Sequence, residues 1–136
     1  MIISICSFGA APTIPSSNIS FSSIDGASIF LSWTPGDGAN RIVVIRLGTA
    51  VTAVPVNGVD YNDDAVFGNG DAILPGQFVL YDNSGAGINV TGLQPNTVYH
   101  FRIYEYNGTG AATEYLTTSF CHRQPINSGR SCNQCK

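Results

Sequence analysis

Glycine and proline interrupt this 136-residue sequence at intervals of roughly 8 to 12 residues, and this spacing constrains the fold more than any other feature. Between these breaks lie short runs in which apolar and polar residues alternate, as they do in half-buried β-strands. No segment keeps an apolar period of 3.6 residues over three helical turns. The spacing therefore predicts an all-β fold, an antiparallel sandwich of about seven or eight strands without helices.

The predicted strands are separated by turn signals such as Asp25-Gly26 and Asn57-Gly58. They span residues 18–22, 28–34, 41–47, 77–81, 88–91, 98–106 and 114–120. The run 41–47 (RIVVIRL) is continuously apolar between two arginines, whereas 28–34 (SIFLSWT) alternates. Residues 49–71 carry only weaker strand signals between further turns.

The longest alternating run, 98–106 (VYHFRIYEY), assigns its residues to two faces. Its inward residues are predicted to be Tyr99, Phe101 and Ile103, and its outward residues His100, Arg102 and Tyr104. Glu105 has the inward parity, and a carboxylate there needs a partner because burial of an unpaired charge is costly. Arg41 or Arg46 on a neighbouring strand is the expected partner, which predicts a structural ion pair.

The charge composition excludes two classes of partner. Only 11% of the residues are charged, the formal net charge is -3, and the sole lysine is Lys136. A nucleic-acid-binding face needs clustered cations, which five scattered arginines do not supply. No apolar run approaches the ~18 residues of a membrane span. We therefore expect neither nucleic-acid binding nor membrane insertion.

The residue types present do not favour catalysis. The chain has two histidines and two glutamates, and it contains no G-x-S-x-G elbow, H-E-x-x-H motif or phosphate-binding loop. Its serines fit turns and strand surfaces. We therefore predict that the protein is not an enzyme.

Four cysteines lie near the ends of the chain, Cys6 near the start and Cys121, Cys132 and Cys135 in the last 16 residues. They are disulfide candidates in an oxidising compartment, and four cysteines allow three pairings. The C-x-x-C spacing of the last two, beside the adjacent Cys121 and His122, raises zinc as an alternative. A single C-x-x-C knuckle beside a Cys-His pair matches zinc spacing poorly, so disulfides are preferred and no metal is assigned.

Residues 93–103 (LQPNTVYHFRI) resemble the signature that opens the sixth strand of fibronectin type III domains. In that family the tyrosine, here Tyr99, returns its hydroxyl to the backbone of the corner. Trp33 matches the core tryptophan of the family's second strand. The resemblance implies a fibronectin type III-like or immunoglobulin-like sandwich whose corner and core include Trp33, Leu93, Pro95, Tyr99, Phe101 and Ile103.

The middle of the chain departs from the usual domain, because the stretch 49–87 is longer than the normal connection. Residues 55–61 (PVNGVDY), 67–70 (FGNG) and 77–81 (QFVLY) resemble a variant found in large secreted and surface proteins of Bacteroidetes-type bacteria. There such modules act as spacers or adhesive units. The predicted organisation is an apolar extension at 1–13 (a signal remnant or an extra or exchanged strand), the sandwich at 14–119 and a cysteine-rich tail at 120–136.

The acidic stretch 60–71 offers hard oxygen ligands of the kind that calcium prefers. The candidate ligands are Asp60, Asn62, Asp64 and Asp71. Ala65 stands where an EF-hand loop requires glycine, so a solvated turn is the preferred interpretation. No other cofactor is expected.

Arg102 and Tyr104 are expected side by side on the outward face of their strand. Exposed aromatic rings are a general recognition device, and they can stack on sugars. This pair is therefore the candidate ligand surface, with a glycan as its ligand.

In a seven-stranded sandwich the chain enters at one end and leaves at the other, which predicts that Cys6 lies about 30 to 40 Å from the three late cysteines. A disulfide joins Cα atoms ~5.5 Å apart. Cys6 is therefore expected to pair with a neighbouring molecule, and the alternating Ile3 and Ile5 to add a strand to that neighbour's sheet.

These inferences predict a non-catalytic structural or interaction module of an extracellular or cell-surface assembly. Its expected partners are a second copy, bound head to tail in a filament, or neighbouring domains and surface proteins. The alternatives are a glycan- or protein-binding adhesive module of a larger secreted protein and a protein of a phage virion surface.

Overall fold

The computed structural model describes residues 10–125 and 131–135, with side chains over 10–123. Within these residues the chain forms ten β-strands and one 3-10 turn, Gly110–Ala112. The strands are β1 (Ser17–Ser22), β2 (Ile29–Thr34), β3 (Asn40–Leu47), β4 (Ala72–Leu74), β5 (Gln77–Asn83), β6 (Gly87–Val90), β7 (Tyr99–Asn107), β8 (Glu114–Tyr115), β9 (Cys121–Pro125) and β10 (Ser131–Cys135).

The strands form two sheets. The smaller sheet has the order β1-β2-β6, and the larger has the order β10-β9-β7-β3-β5-β4, with β8 paired beside β7. Neighbouring strands are antiparallel throughout. The predicted antiparallel sandwich is confirmed, and β4, β9 and β10, which lie outside the predicted strands, bring the number in the described residues above the seven or eight expected.

The inner core lies between the two sheets and follows the alternation of the sequence. In β2 the alternate residues Ile29, Leu31 and Trp33 are buried. The ring of Trp33 meets that of Tyr81 edge-on, with the centroids 5.2 Å apart. The buried members of the inner core are Ile19, Ile29, Leu31, Trp33, Val43, Ile45, Leu80, Val90, Leu93, Tyr99, Phe101, Ile103 and Cys121.

A second cluster, the outer core, covers the opposite face of the larger sheet. In β3 the four residues from Ile42 to Ile45 are all fully buried, because both faces of this strand are covered. Val43 and Ile45 belong to the inner core, and Ile42 and Val44 belong to the outer core. The outer core also contains Val51, Ala53, Val79, Tyr104, Tyr106 and Tyr115, with Tyr61, Ile73 and Phe120 packed against it.

Residues 49–61, here called the cover segment, supply much of the outer core. They contain no strand or helix. Val51 and Ala53 are buried against the sheet, whereas Val54 and Val56 face solvent. The long middle region that the sequence singled out therefore forms a second packing layer on the sandwich.

The end of the chain differs from the predicted strands. The prediction of one strand over 114–120 is wrong, because only Glu114–Tyr115 pairs with β7. The chain then places Phe120 on the outer core, with its ring centroid 5.6 Å from that of Tyr104. Strand β9 begins at Cys121 and pairs with the middle of β7. The larger sheet thus continues into the segment predicted as a cysteine-rich tail.

Candidate interaction site

One end of the sandwich is closed by the corner around Tyr99. Its Oη accepts a hydrogen bond from the Gln94 N–H at 3.0 Å, and its ring is buried in the inner core. Asn96 in the same turn has a φ of +53°, a left-handed conformation that asparagine adopts more readily than most residues. These contacts are those of a tyrosine corner.

A shallow cleft of about 290 Å³ opens beside this corner, between Leu93 and the turn at 24–26. Its carboxylate, Asp25, accepts hydrogen bonds from the N–H groups of Ala27 and Ser28 at 2.9 and 2.8 Å. These bonds, with one from the Ser28 hydroxyl, hold the pKa of Asp25 below its ordinary value. The carboxylate therefore stabilises the β1–β2 turn and is already occupied within the chain.

The opposite end, here called the entry end, is built around a buried ion pair. Arg41 Nε donates to Glu105 Oε1 at 2.9 Å, and Arg41 Nη2 donates to Oε2 at 3.2 Å. The N–H groups of Gly36 and Gly38 donate to the same carboxylate, each at 3.1 Å, and so does the hydroxyl of Ser16. The carboxylate with inward parity is thus paired, as its burial requires.

Arg46, the other arginine considered as a partner for Glu105, instead donates to the carbonyl of Ala50 at 3.0 Å.

Further hydrogen bonds attach residues 10–14 to the entry end of the sandwich. Asn107 Nδ2 donates to the carbonyl of Ala10 at 2.9 Å. The N–H groups of residues 13 and 14 donate to Asp37 at 2.9 and 2.8 Å. The first described residues therefore have a fixed position at the entry end.

The predicted ligand pair, Arg102 and Tyr104, lies on the outward face of β7 but is not an exposed platform. Tyr104 is fully buried, and its Oη donates to the Ala53 carbonyl at 2.8 Å and accepts from Arg102 Nη1 at 3.1 Å. The Arg102 guanidinium lies over the ring of Phe120, 3.9 Å from its centroid. Burial raises the pKa of Tyr104. The expectation of an exposed pair is wrong, because the cover segment and Phe120 occupy this face.

Polar side chains hold the cover segment through its backbone. Gln77, 2% exposed, accepts hydrogen bonds from the N–H groups of Thr52 and Ala53 at 2.7 and 2.8 Å. Its Nε2 donates to Thr52 Oγ1 at 2.9 Å. Asn57 accepts a bond from the Tyr115 N–H at 2.8 Å, and the Tyr115 hydroxyl donates back to a carbonyl of the segment at 2.8 Å. In the sequence Asn57 is marked only as part of a turn and Gln77 only as part of a strand, since an isolated amide side chain carries no signal for such a long-range contact.

Of the four residues considered for calcium, Asn62 and Asp71 are bonded to each other, whereas Asp60 and Asp64 make separate contacts. Asp60 accepts from the N–H of Gly110 at 2.8 Å, and Asp64 closes its own turn. Asp71 accepts from the N–H of Asn62 at 2.8 Å. Within residues 10–125 and 131–135, no three His, Cys, Asp or Glu side chains come together as a group that could hold a metal ion. In this arrangement the carboxylates fix loop backbone.

A further acidic group lies at the edge of the outer core. Tyr106 Oη donates to Asp82, and Asp63 accepts from the Asp82 N–H at 3.0 Å. Partial burial, with the neighbouring charges of Asp63 and Asp60, raises the pKa of Asp82. Burial and the bond to Asp82 likewise raise the pKa of Tyr106.

The C-terminal hairpin forms one edge of the larger sheet. Strands β9 and β10 pair in unbroken register, from Ser131 opposite Pro125 to Cys135 opposite Cys121. In the described part of the chain, β9 is the strand paired with β10, so the other side of β10 is an edge. The opposite edge, β4, has three residues and an irregular register. A regular five-residue edge is the better template for another strand.

The prediction that all three late cysteines lie at the end of the sandwich opposite the entry end is wrong for Cys121 and Cys135. Cys121 is buried in the inner core, and Cys135 lies opposite it because β10 turns back toward the middle of β7. Cys132 lies opposite Gln124, nearer the end of the hairpin. Cys6 lies outside the described residues.

The zinc alternative requires Cys121, His122, Cys132 and Cys135 around one ion. Successive residues of a strand alternate between its faces, so Cys121 and His122 belong to opposite faces of the hairpin. The same parity separates Cys132 from Cys135. Ligands divided between two faces do not form a tetrahedral site.

Two antiparallel sheets packed around one core and closed by a tyrosine corner define an immunoglobulin-like β-sandwich. The sequence model of the fibronectin type III domain matches residues 10–119, most of the chain. The chain therefore belongs to the fibronectin type III family. No curated protein matches it.

Solved structures resemble the chain in fold at low sequence identity. A protein from a computer-based redesign of a β-sandwich is 17% identical, with a TM-score of 0.51, over 91% of this chain and 95% of that one. An FN3 domain of human collagen XX is 17% identical, with a TM-score of 0.44, over 77% and 91%. The FN5 domain of Drosophila Lar is 15% identical, with a TM-score of 0.42, over 76% and 95%. The first likeness supports the sandwich fold.

The described residues contain no helix of the length and apolar character that would span a membrane.

Proposed function

We propose that this fibronectin type III domain is a non-catalytic module of an extracellular or surface assembly and associates head to tail by strand addition. Its family membership supports a structural or interaction role. The resemblance of residues 55–61 and 77–81 to modules of Bacteroidetes-type surface proteins, together with the four cysteines, supports an extracellular setting.

The edge strand β10 is the observation that carries the proposal. Such an edge presents unpaired N–H and C=O groups to which another strand can add. In the segment 1–9, Ile3 and Ile5 alternate with Ser4 and Cys6, as in a strand. We therefore assign residues 1–9 as the donor and β10 of a neighbouring molecule as the acceptor.

The positions of donor and acceptor favour a chain of molecules. Ala10, the last link to the donor, is held at the entry end by Asn107. Strand β10 lies beyond β9, level with the half of β7 farther from the entry end. Each molecule can then donate to one neighbour and accept from another, and this heterologous contact yields a filament where the rotation does not close.

Sedimentation velocity of the full chain over a range of concentrations tests the proposal. The unmodified chain should form multimers that grow with concentration. Ile5→Pro should remain monomeric, because proline cannot donate a ladder hydrogen bond. Ile5→Val, the matched control, keeps the strand preference and should associate like the unmodified chain.

Two results would contradict strand addition. One is an unmodified chain that stays monomeric at every concentration. The other is an Ile5→Pro chain that associates as strongly as Ile5→Val. A monomer that is retained on a glycan or protein affinity surface would instead support the adhesive binding module.

A further inference from the structure

The register of the C-terminal hairpin brings two cysteine positions together. Strands β9 and β10 pair without irregularity, and Cys135 lies directly opposite Cys121. Directly opposite residues of an antiparallel pair share a face of the sheet, with Cα atoms about 4.5 to 5.5 Å apart. Disulfides join cysteines whose Cα atoms are about 4.4 to 6.8 Å apart. The two positions therefore have the spacing of a disulfide without any movement of the backbone.

The strand alternation separates this pair from the other late cysteine. Cys132 lies opposite Gln124, three residues before Cys135, and so belongs to the other face of the hairpin. Cys121 is 3% exposed and packs in the inner core. Of the cysteines in the described strands, Cys135 is the one that shares both the register and the face of Cys121.

We propose that Cys121 and Cys135 form a disulfide within the chain. Each Sγ–H loses its proton and a bond forms between the two sulfurs. The two electrons pass to the disulfide of a thiol oxidoreductase or of oxidised glutathione, which is cleaved to two thiols. The linkage closes the loop 121–135 and fixes β10 as part of the larger sheet.

The disulfide does not depend on the proposed head-to-tail association, but it defines which cysteines are left to link one molecule to the next. Once Cys121 and Cys135 are joined, Cys132 remains on the edge strand and Cys6 on the proposed donor segment. Cys6 and Cys132 are then the pair available for a link between molecules. The Cys121–Cys135 pair strengthens each module, and the Cys6–Cys132 pair connects modules.

Peptide mapping of the full chain tests the pairing. The chain is oxidised with glutathione disulfide, alkylated, and digested with trypsin without reduction. Trypsin places Cys121 in the peptide 103–123 and both Cys132 and Cys135 in the peptide 131–136. We expect these two peptides to be joined in the monomer fraction and released by reductant.

Two matched serine variants identify the partner. Cys132→Ser should keep the link between the peptides, and Cys135→Ser should lose it. Reductant should lower the thermal unfolding midpoint of the unmodified chain and of Cys132→Ser by about 10 °C, the effect of opening a loop of this size. It should leave the midpoint of Cys135→Ser unchanged.

A link that survives in Cys135→Ser and disappears in Cys132→Ser would assign the pairing to Cys132 and overturn the proposal. Peptides that remain unlinked after oxidation, or a link found only between two chains, would overturn it as well. Because the mapping is made on monomer, its failure is distinguishable from a failure of Ile5→Pro to abolish association.

Discussion

The two faces of the larger sheet are both buried, but by different means. The inner face packs against the smaller sheet through alternating apolar side chains. The outer face packs against the cover segment, which has no regular structure; its backbone donates to Gln77 and accepts from Tyr104, both on strands of the sheet. Burial of the inner face requires a pattern of period two, whereas burial of the outer face requires particular polar partners.

This difference separates two kinds of energetic cost. A change in the inner core removes apolar area or leaves a cavity. A change among the polar contacts leaves a donor or acceptor without a partner, and each such group costs about 1–3 kcal/mol when it is buried. Variants chosen from the two sets therefore test whether the cover segment is an independent layer.

The largest loss of stability is expected at the entry end, where the ion pair of Arg41 and Glu105 is buried. Glu105→Leu leaves the buried guanidinium of Arg41 without its charged partner, with only backbone carbonyls as acceptors. It also leaves the N–H groups of Gly36 and Gly38 without an acceptor. We expect a loss of about 3–5 kcal/mol in the free energy of unfolding, measured by urea denaturation.

A double variant isolates the cost of the unpaired charge. Arg41→Met combined with Glu105→Leu leaves no charge buried, so it should be more stable than Glu105→Leu alone. A double variant at least as unstable as the single one would show that the loss comes from the turn glycines and Ser16 instead.

The next effect is expected at the anchor of the cover segment. Gln77→Leu leaves the N–H groups of Thr52 and Ala53 unpaired, so we expect a loss of about 2–4 kcal/mol. Amide hydrogen exchange should accelerate in residues 51–53 and remain slow in β3 and β7.

Thr52→Val is the matched control, because it removes the hydroxyl contact and leaves both N–H bonds to Gln77 intact. Thr52 is exposed, so water can replace its hydroxyl as the acceptor for Gln77 Nε2, and the loss should be about 1 kcal/mol or less. Equal losses in Gln77→Leu and Thr52→Val, with unchanged exchange over 51–53, would mean that Gln77 does not hold this segment.

The inner core could be predicted from the sequence because its determinant is local. The alternation places Trp33 on the inward face of 28–34 and Tyr99 and Phe101 on the inward face of 98–106, and the two faces form one core. The burial of the outer face also had a local signal. In 41–47 four apolar residues follow one another, a pattern typical of strands covered on both faces.

The sequence carries no comparable signal that residues 49–61 are the segment covering this face. Residues 49–61 show no period, and the bonds between Gln77 and Thr52 join residues that are 25 positions apart. The alternation gives Tyr104 its correct face, but its exposure depends on what lies above it. The same limit applies to 114–120, where the run after the turn at 107–110 predicts a strand, but the chain pairs only at 114–115 and then packs Phe120 on the outer core.

A tyrosine lies on each face of the larger sheet, Tyr99 in the inner core and Tyr104 in the outer core, so the loss of one hydroxyl can be compared between the two faces. Tyr104→Phe removes a fully buried hydroxyl and leaves the Ala53 carbonyl without its donor, so about 1–2 kcal/mol should be lost. Tyr99→Phe leaves the N–H of Gln94 without its acceptor. Gln94 is exposed, so water can replace the hydroxyl, and about 0.5–1 kcal/mol should be lost. A larger loss in Tyr99→Phe, by urea denaturation, would place the tighter polar packing on the inner side.

The smallest effect is a pH dependence at the edge of the outer core. Partial burial raises the pKa of Asp82, so the folded chain binds this proton more tightly than the unfolded chain does. The contribution of Asp82 to stability therefore falls as the pH rises above its ordinary value of 3.8 toward the folded pKa. Asp82→Asn removes the titration and keeps an oxygen that can accept from Tyr106.

Urea denaturation over a pH series from about 2.5 to 8 measures this dependence. The stability of the unmodified chain relative to Asp82→Asn should decrease with rising pH. Asp37 at the entry end supplies the opposite sign, because hydrogen bonds from Ile14 and Thr13 lower its pKa. The stability of the unmodified chain relative to Asp37→Asn should therefore be lost as the pH falls below the ordinary value of 3.8 and through the lower pKa of the folded chain. An Asp82 difference that instead increased with pH would mean that the bond from Tyr106 outweighs burial, and that the edge of the outer core is more open to water than its packing indicates.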